Sequence, residues 1–163
     1  MFRKAALAAL LIMTVAPAWA DDIKIGDITI QNAWARATPK GAEVGVGYLT
    51  IRNNGASADK LTGGSADFGA VQLHEMSVAN GVMKMRQVDD GLTVPAHGTV
   101  TLAPNGYHLM FVGLKQPFVK GQGVKATLTF EHAGSAQVNF DVRGLGAAAP
   151  APAKSDSMGG MKM

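Results

Sequence analysis

The stretch Leu73-His74-Glu75-Met76-Ser77-Val78-Ala79-Asn80-Gly81-Val82-Met83-Lys84-Met85-Arg86 decides the fold. Asn80-Gly81 is a two-residue hairpin signature, because the favoured turn needs positive φ at its centre and Asn and Gly tolerate it best. In a strand, residues i and i+2 share a face. His74 and Met76 therefore project together. Met83 and Met85 do the same, with Val82, Lys84 and Arg86 opposite. A hairpin folds Met83 and Met85 back towards the strand that carries His74.

The same texture extends on both sides. Short alternating runs cover Ile28 to Arg36, Gly45 to Arg52, Lys60 to Gly64, Ala70 to Val78, Val82 to Val88, Gly98 to Leu102, Tyr107 to Val112, Val124 to Phe130 and Ala136 to Val142. Asn53-Asn54-Gly55 and Pro104-Asn105-Gly106 break them as turns, and Pro95 interrupts any ladder it would join. Val124, Ala126, Leu128 and Phe130 share one parity and Val138, Phe140 and Val142 another, as strands packed on one side should. Nothing reads as a long amphipathic helix. Roughly nine short strands in about 125 residues predict an all-β, antiparallel β-sandwich or Greek-key barrel.

The ends differ from this body. Residues 1–20 read as a secretory signal peptide: Arg3 and Lys4 begin it, Ala5 to Val15 form the apolar run, and Ala18-Trp19-Ala20 is a small-x-small cleavage site. That run is shorter than the ~20 residues of a membrane span, and no later segment approaches that length. The β-domain is expected over residues 21–145. Residues 146–163 are rich in Ala and Pro and end in Met158, Met161 and Met163; with no large apolar residue before those methionines, a disordered tail is expected.

Charge and cysteine content exclude several function classes. Two of the 15 Lys and Arg residues lie in the leader, so 13 stand against 12 acidic residues, a mature net charge of +1. The basic residues are scattered among acids, without the clustered basic face of a nucleic-acid binder. Among 163 residues there is no Cys, which removes thiol catalysis, thiolate zinc sites, Cys-held iron–sulfur clusters and Cys-ligated blue copper. Gly63-Gly64-Ser65-Ala66-Asp67 lacks the final Gly of a nucleophile elbow, and no nucleophile pairs with a base, so no enzyme is expected.

Methionine is where chemistry gathers. Between leader and tail there are four, Met76, Met83, Met85 and Met110, and all lie in two windows that also hold two of the four histidines. In Gly106-Tyr107-His108-Leu109-Met110-Phe111, His108 and Met110 share a face, while Tyr107, Leu109 and Phe111 turn to the core. A two-His, two-Met cluster follows if this strand lies beside the hairpin. Thioether is a soft neutral ligand and imidazole is borderline, so the set favours Cu(I) over zinc, calcium or magnesium. Any one of these methionines could simply fill a core gap; their joint placement beside two histidines favours the metal. His97 and His132 stand in turns without methionine and are expected to be solvated. Asp89-Asp90-Gly91 reads as a turn, and Trp34 as a buried core residue.

With these motifs in view, the chain resembles the PCu(A)C family of periplasmic copper chaperones over nearly all of the mature domain. That family's signature is a His, a Met eleven positions later, and a His-x-Met after a gap of a little over twenty residues. It selects His74, Met85, His108 and Met110. Asn32-Ala33-Trp34-Ala35-Arg36-Ala37-Thr38, Gly47-Tyr48-Leu49-Thr50-Ile51-Arg52-Asn53 and Leu102-Ala103-Pro104-Asn105-Gly106 agree in the same order. The resemblance implies a cupredoxin-like fold binding copper as Cu(I) through these four residues in the periplasm. It also implies delivery to the CuA centre of cytochrome c oxidase, often alongside a Sco-type thiol protein. A copper store or resistance protein with the same site is the rival reading. Met76 and Met83 remain alternatives to Met85, since each shares a strand face with a proposed ligand. The tail methionines, lacking a His beside them, would favour Cu(I) over Cu(II).

Overall fold

The computed structural model describes residues 22–148; the leader expected at 1–20 and the tail beyond 148 lie outside them. Among the described residues there is no helix. Eleven strands follow in order: β1 (Ile23–Ile25), β2 (Ile28–Arg36), β3 (Val44–Asn53), β4 (Asp59–Ala66), β5 (Gly69–Ala79), β6 (Val82–Gln87), β7 (Leu92–Val94), β8 (Thr99–Leu102), β9 (Tyr107–Val112), β10 (Gly123–Phe130) and β11 (Gly134–Arg143). Each alternating run seen in the sequence became a strand. The runs for β1 and β7 escaped notice because three residues are too few to show a period.

Seven strands close a ring in the order β2, β11, β10, β4, β5, β9, β3, and β3 returns to β2. The sandwich expected from the sequence is thus a hydrogen-bonded barrel of the Greek-key, cupredoxin-like class. Its pairings are antiparallel except β11 with β2, which run parallel from Asp141↔Trp34 to Arg143↔Arg36. The four remaining strands are appended: β1 to β2, β8 to β3, β7 to β4 and β6 to β5.

Inside the barrel lie Ile51, Leu61, Leu109, Phe111, Leu128, Val138 and Phe140, all fully buried. Phe111 anchors this core, with the rings of Phe140 and Phe118 edge-on at 5.2 and 5.5 Å. Burying such a side chain stabilises the fold by about 1.5–3 kcal/mol each, which a domain without disulfides requires.

A β-bulge corrects the expectation for Trp34. Three steps along β2, from Gln31 to Trp34, match two along β3, from Thr50 to Tyr48, and Asn32 takes φ 52°. The extra residue shifts the alternation. Ile28 and Ile30 join the core before the bulge, and Ala33 and Ala35 after it. Trp34 is buried as expected, but it stands apart from the core cluster. Its ring lies 4.6 Å from Tyr48, with the Arg143 guanidinium 5.3 Å over Trp34 and that of Arg36 5.9 Å over Tyr48. Each cation is attracted to the aromatic face it covers, so two guanidiniums flank the stacked Trp34–Tyr48 pair.

Candidate metal centre

The hairpin turns at Asn80 (φ 54°) and Gly81 (φ 76°), two consecutive positive values that match the right-handed twist of the flanking strands. The register it sets places Met85 opposite Met76, Met83 opposite Val78 and Gln87 opposite His74. Strand β9 runs along the other edge of β5, with His108 opposite His74 and Met110 opposite Gln72. Directly opposed residues of an antiparallel pair project to the same side. Gln72, His74, Met76, Met83, Met85, His108 and Met110 therefore occupy one face. The other face of the same strands carries Leu73, Leu109 and Phe111, each at most 2% exposed.

The two histidines are in contact. Their ring centroids are 5.8 Å apart and the rings are tilted by 34°. Two imidazoles that bond one metal at about 2 Å have centroids roughly 5–6.5 Å apart, so the pair is already spaced to share an ion.

Hydrogen bonds fix which nitrogen each ring would offer. His108 Nδ1 donates to the Gly106 carbonyl at 3.1 Å, which leaves the Nε2 lone pair free. His74 Nε2 donates to Gln72 Oε1 at 3.1 Å, which leaves the lone pair on Nδ1. That Nδ1 is buried without any partner. An unmet buried polar atom costs about 1–3 kcal/mol, and an ion shared with His108 would satisfy it. Burial, and next the neighbouring His108, hold the His74 pKa below the usual histidine value, while Asp89 pulls weakly the other way. The ring is thereby kept neutral, the form in which imidazole ligates.

The methionines approach from different sides. Met110 is half-buried on the His108 strand, one diagonal step from His74. Met85 is 51% exposed on β6, one diagonal step from His74 on the opposite flank. Met85 and Met110 are thus not neighbours of each other: the histidine pair lies between them. Met76 is half-buried on the central strand directly opposite Met85, and Met83 is 56% exposed. Sequence reasoning missed Gln72 and the Gly106 carbonyl. Gln72 was detectable, since it lies two residues before His74 on the same face.

The remaining histidines stand elsewhere, as expected. His97 is an exposed turn residue with φ 53°. His132 is exposed in the β10–β11 turn, where it lines a separate cavity of about 280 Å³ with Asp27, Asn53, Ser57 and Asp59. Among the described residues, no three His, Asp or Glu side chains are grouped to hold a metal. Beside the His pair, the side chains on this face of β5, β6 and β9 that bear soft donors are the thioethers of Met76, Met83, Met85 and Met110.

Comparison with known proteins agrees with this architecture. The family model described as "Putative lipoprotein LpqE-like" matches residues 28–142. The "Putative lipoprotein Lxx21020" of Leifsonia xyli subsp. xyli is 32% identical over 117 residues, covering 71% of this chain and 69% of that protein. Among solved structures, the copper-bound PCuAC domain from PmoF2 is 29% identical over 76% of this chain and 98% of that one, with a TM-score of 0.65. The Cu(I) form of DR1885 from Deinococcus radiodurans is 29% identical over 78% and 83% of the two chains, with a TM-score of 0.52. With strands, barrel closure and matched span all in agreement, the chain belongs to the LpqE-like family and has the fold of the PCuAC domains.

Proposed function

We propose that this protein is an exported Cu(I) carrier and that His74, His108, Met110 and Met85 hold the ion. The observation that carries the reading is the opposed His74–His108 pair, with a buried, unpartnered Nδ1 on His74 and thioethers on either flank. Similarity to copper-bound PCuAC domains supports the choice of metal. The leader at residues 1–20 and the lipoprotein relative support export to the periplasm.

The ligands are all neutral, so copper's charge stays uncompensated and transfer to an anionic thiolate acceptor is favourable. The histidines sit on strands pinned by the core and act as the anchor. The methionines, and Met85 above all, are the ligands that an acceptor displaces first. The acceptor we propose is the CuA centre of cytochrome c oxidase, reached with or without a Sco-type thiol protein. The protein itself performs no catalysis.

Anaerobic Cu(I) titration of the mature chain against a competing chelator tests the site. Replacing Met85 and Met110 together by Leu should weaken binding by at least about tenfold. Unchanged affinity would sink the assignment. Loss of oxidase activity in a deletion strain supports delivery, whereas copper sensitivity with intact oxidase indicates storage.

A further inference from the structure

Three thioethers lie towards the hairpin tip from the histidine pair, and core packing does not explain the two exposed ones. Met83 and Met85 are 56% and 51% exposed on β6, a strand with no buried residue. Met76 lies directly across from Met85, and Met83 is its diagonal neighbour. Directly opposed Cβ atoms in such a pair are about 4.5–5.5 Å apart and diagonal ones about 7–8 Å. Each methionine sulfur stands two bonds beyond its Cβ on an unbranched side chain, so three sulfurs on one face of this hairpin can converge. The charged residues of the hairpin strands themselves are on the other face, where Arg86 is tied to Glu75 at 2.6 Å. Gap-filling explains a buried methionine, not Met83 or Met85, which are exposed. With Val78, directly opposite Met83, they make a contiguous exposed apolar patch near the hairpin tip, and such a patch marks a ligand or partner site.

We infer that Met76, Met83 and Met85 form a second Cu(I) position made only of thioethers, one step out from the histidine pair towards the hairpin tip. This rests on the carrier reading above. Met85 belongs to both positions, so copper passes between them by exchanging the remaining ligands while Met85 stays bound. No redox change occurs: Cu(I) enters and leaves as Cu(I), and neutral ligands replace neutral ligands. The outer position is soft and solvent-facing, suited to take copper from, or offer it to, another soft-ligand protein. The inner position, with its buried His108 and half-buried Met110, retains it.

The test uses the full mature chain labelled with ¹³C at the methionine methyls and titrated anaerobically with Cu(I). In the His74→Ala/His108→Ala variant, the methyl signals of Met76, Met83 and Met85 should move together along one saturating curve. Immobile Met76 and Met83 signals, or movement of Met158, Met161 and Met163 alone, would overturn the proposal. If the double variant does not fold, the wild type decides: Met76 and Met83 must move as Cu(I) is added, and fixed signals there count against the outer position. In the same titration, a response of Met110 with the His74 and His108 rings upholds the carrier reading even when the outer position fails. Silence at those three refutes the carrier reading itself.

Discussion

Gln72 gives the sharpest test of how the metal centre is organised. Its Oε1 can only accept, so the 3.1 Å contact places the proton of His74 on Nε2 and the lone pair on buried Nδ1. Gln72→Leu keeps a half-buried side chain of similar size and removes the acceptor. The His74 ring then loses its orientation and can offer the other nitrogen. One neutral hydrogen bond is worth about 0.5–1.5 kcal/mol net, and a tenfold change in binding is about 1.4 kcal/mol. Cu(I) affinity should therefore fall about three- to tenfold, at the lower end of what the loss of a ligand's supporting partner costs. Gln72→Glu should do the opposite, since a carboxylate accepts more strongly and raises the basicity of Nδ1.

Two measurements check this. Competition against a chelator gives the affinities, and two-bond ¹⁵N–¹H spectra of the apoprotein report which nitrogen of His74 carries the proton. The reasoning is refuted if wild-type His74 is protonated on Nδ1, or if Gln72→Leu binds Cu(I) as tightly as the wild type. Equal losses in Gln72→Leu and Gln72→Glu would also defeat it, because they would point to disturbed packing.

Asp59 accepts from three backbone N–H groups, those of Lys60 at 2.7 Å and of His132 and Ala133 at 2.9 Å, and so ties the start of β4 to the β10–β11 turn. Asp59→Ala should cost about 3 kcal/mol, read as a lower denaturant midpoint, because it strands donors of charge-assisted bonds. Burial alone would raise the Asp59 pKa, but the three N–H bonds outweigh it and the folded value lies below the usual one. Its stabilisation is thus fully present above the unfolded carboxylate's pKa and is lost as pH falls through the lower folded value. The denaturant midpoints of wild type and Asp59→Ala should converge at that acid end. A Cβ at Gly64 would collide with the Thr127 carbonyl oxygen where β4 meets β10, so Gly64→Ala should destabilise by about 3 kcal/mol, and an unchanged thermal midpoint would contradict it. With the pKa of His74 lowered by burial and by His108, the His74 contribution to Cu(I) binding should persist below the pH at which an ordinary histidine protonates. A titration series across that range checks this, and loss of binding at the ordinary value would count against it.

How legible was this in the sequence? The strands were legible because two-residue alternation is imposed by one-sided burial: Val124 to Phe130 could not read otherwise. The hairpin was legible because Asn80-Gly81 answers one backbone requirement. The closure of the barrel was not, since β2 pairs with both β3 and β11 through backbone groups that any sequence supplies. The bulge at Asn32 was hidden for the same reason, and with it the outward turn of Trp34. The metal-ligating residue types could be read as chemistry. Which of them are neighbours depended on register, and register put Met76 rather than Met110 across from Met85.

The two ends of the ligand face differ in what holds them. His108 and Met110 alternate with Leu109 and Phe111, which are fully buried, so moving either proposed ligand means disturbing the barrel core. Strand β6 buries nothing and, among the described residues, is bonded along one edge, to β5. Local opening draws on the free energy of the contacts that must be broken, and it is therefore far less costly at Met83 and Met85 than at His108. A carrier has to retain its ion and also surrender it on contact, demands that conflict if every ligand is equally rigid. In the proposed site, placing the imidazoles and Met110 over the core and Met85 on exposed β6 separates the demands in space: the barrel would set retention, and a strand that can move without unfolding it would set exchange.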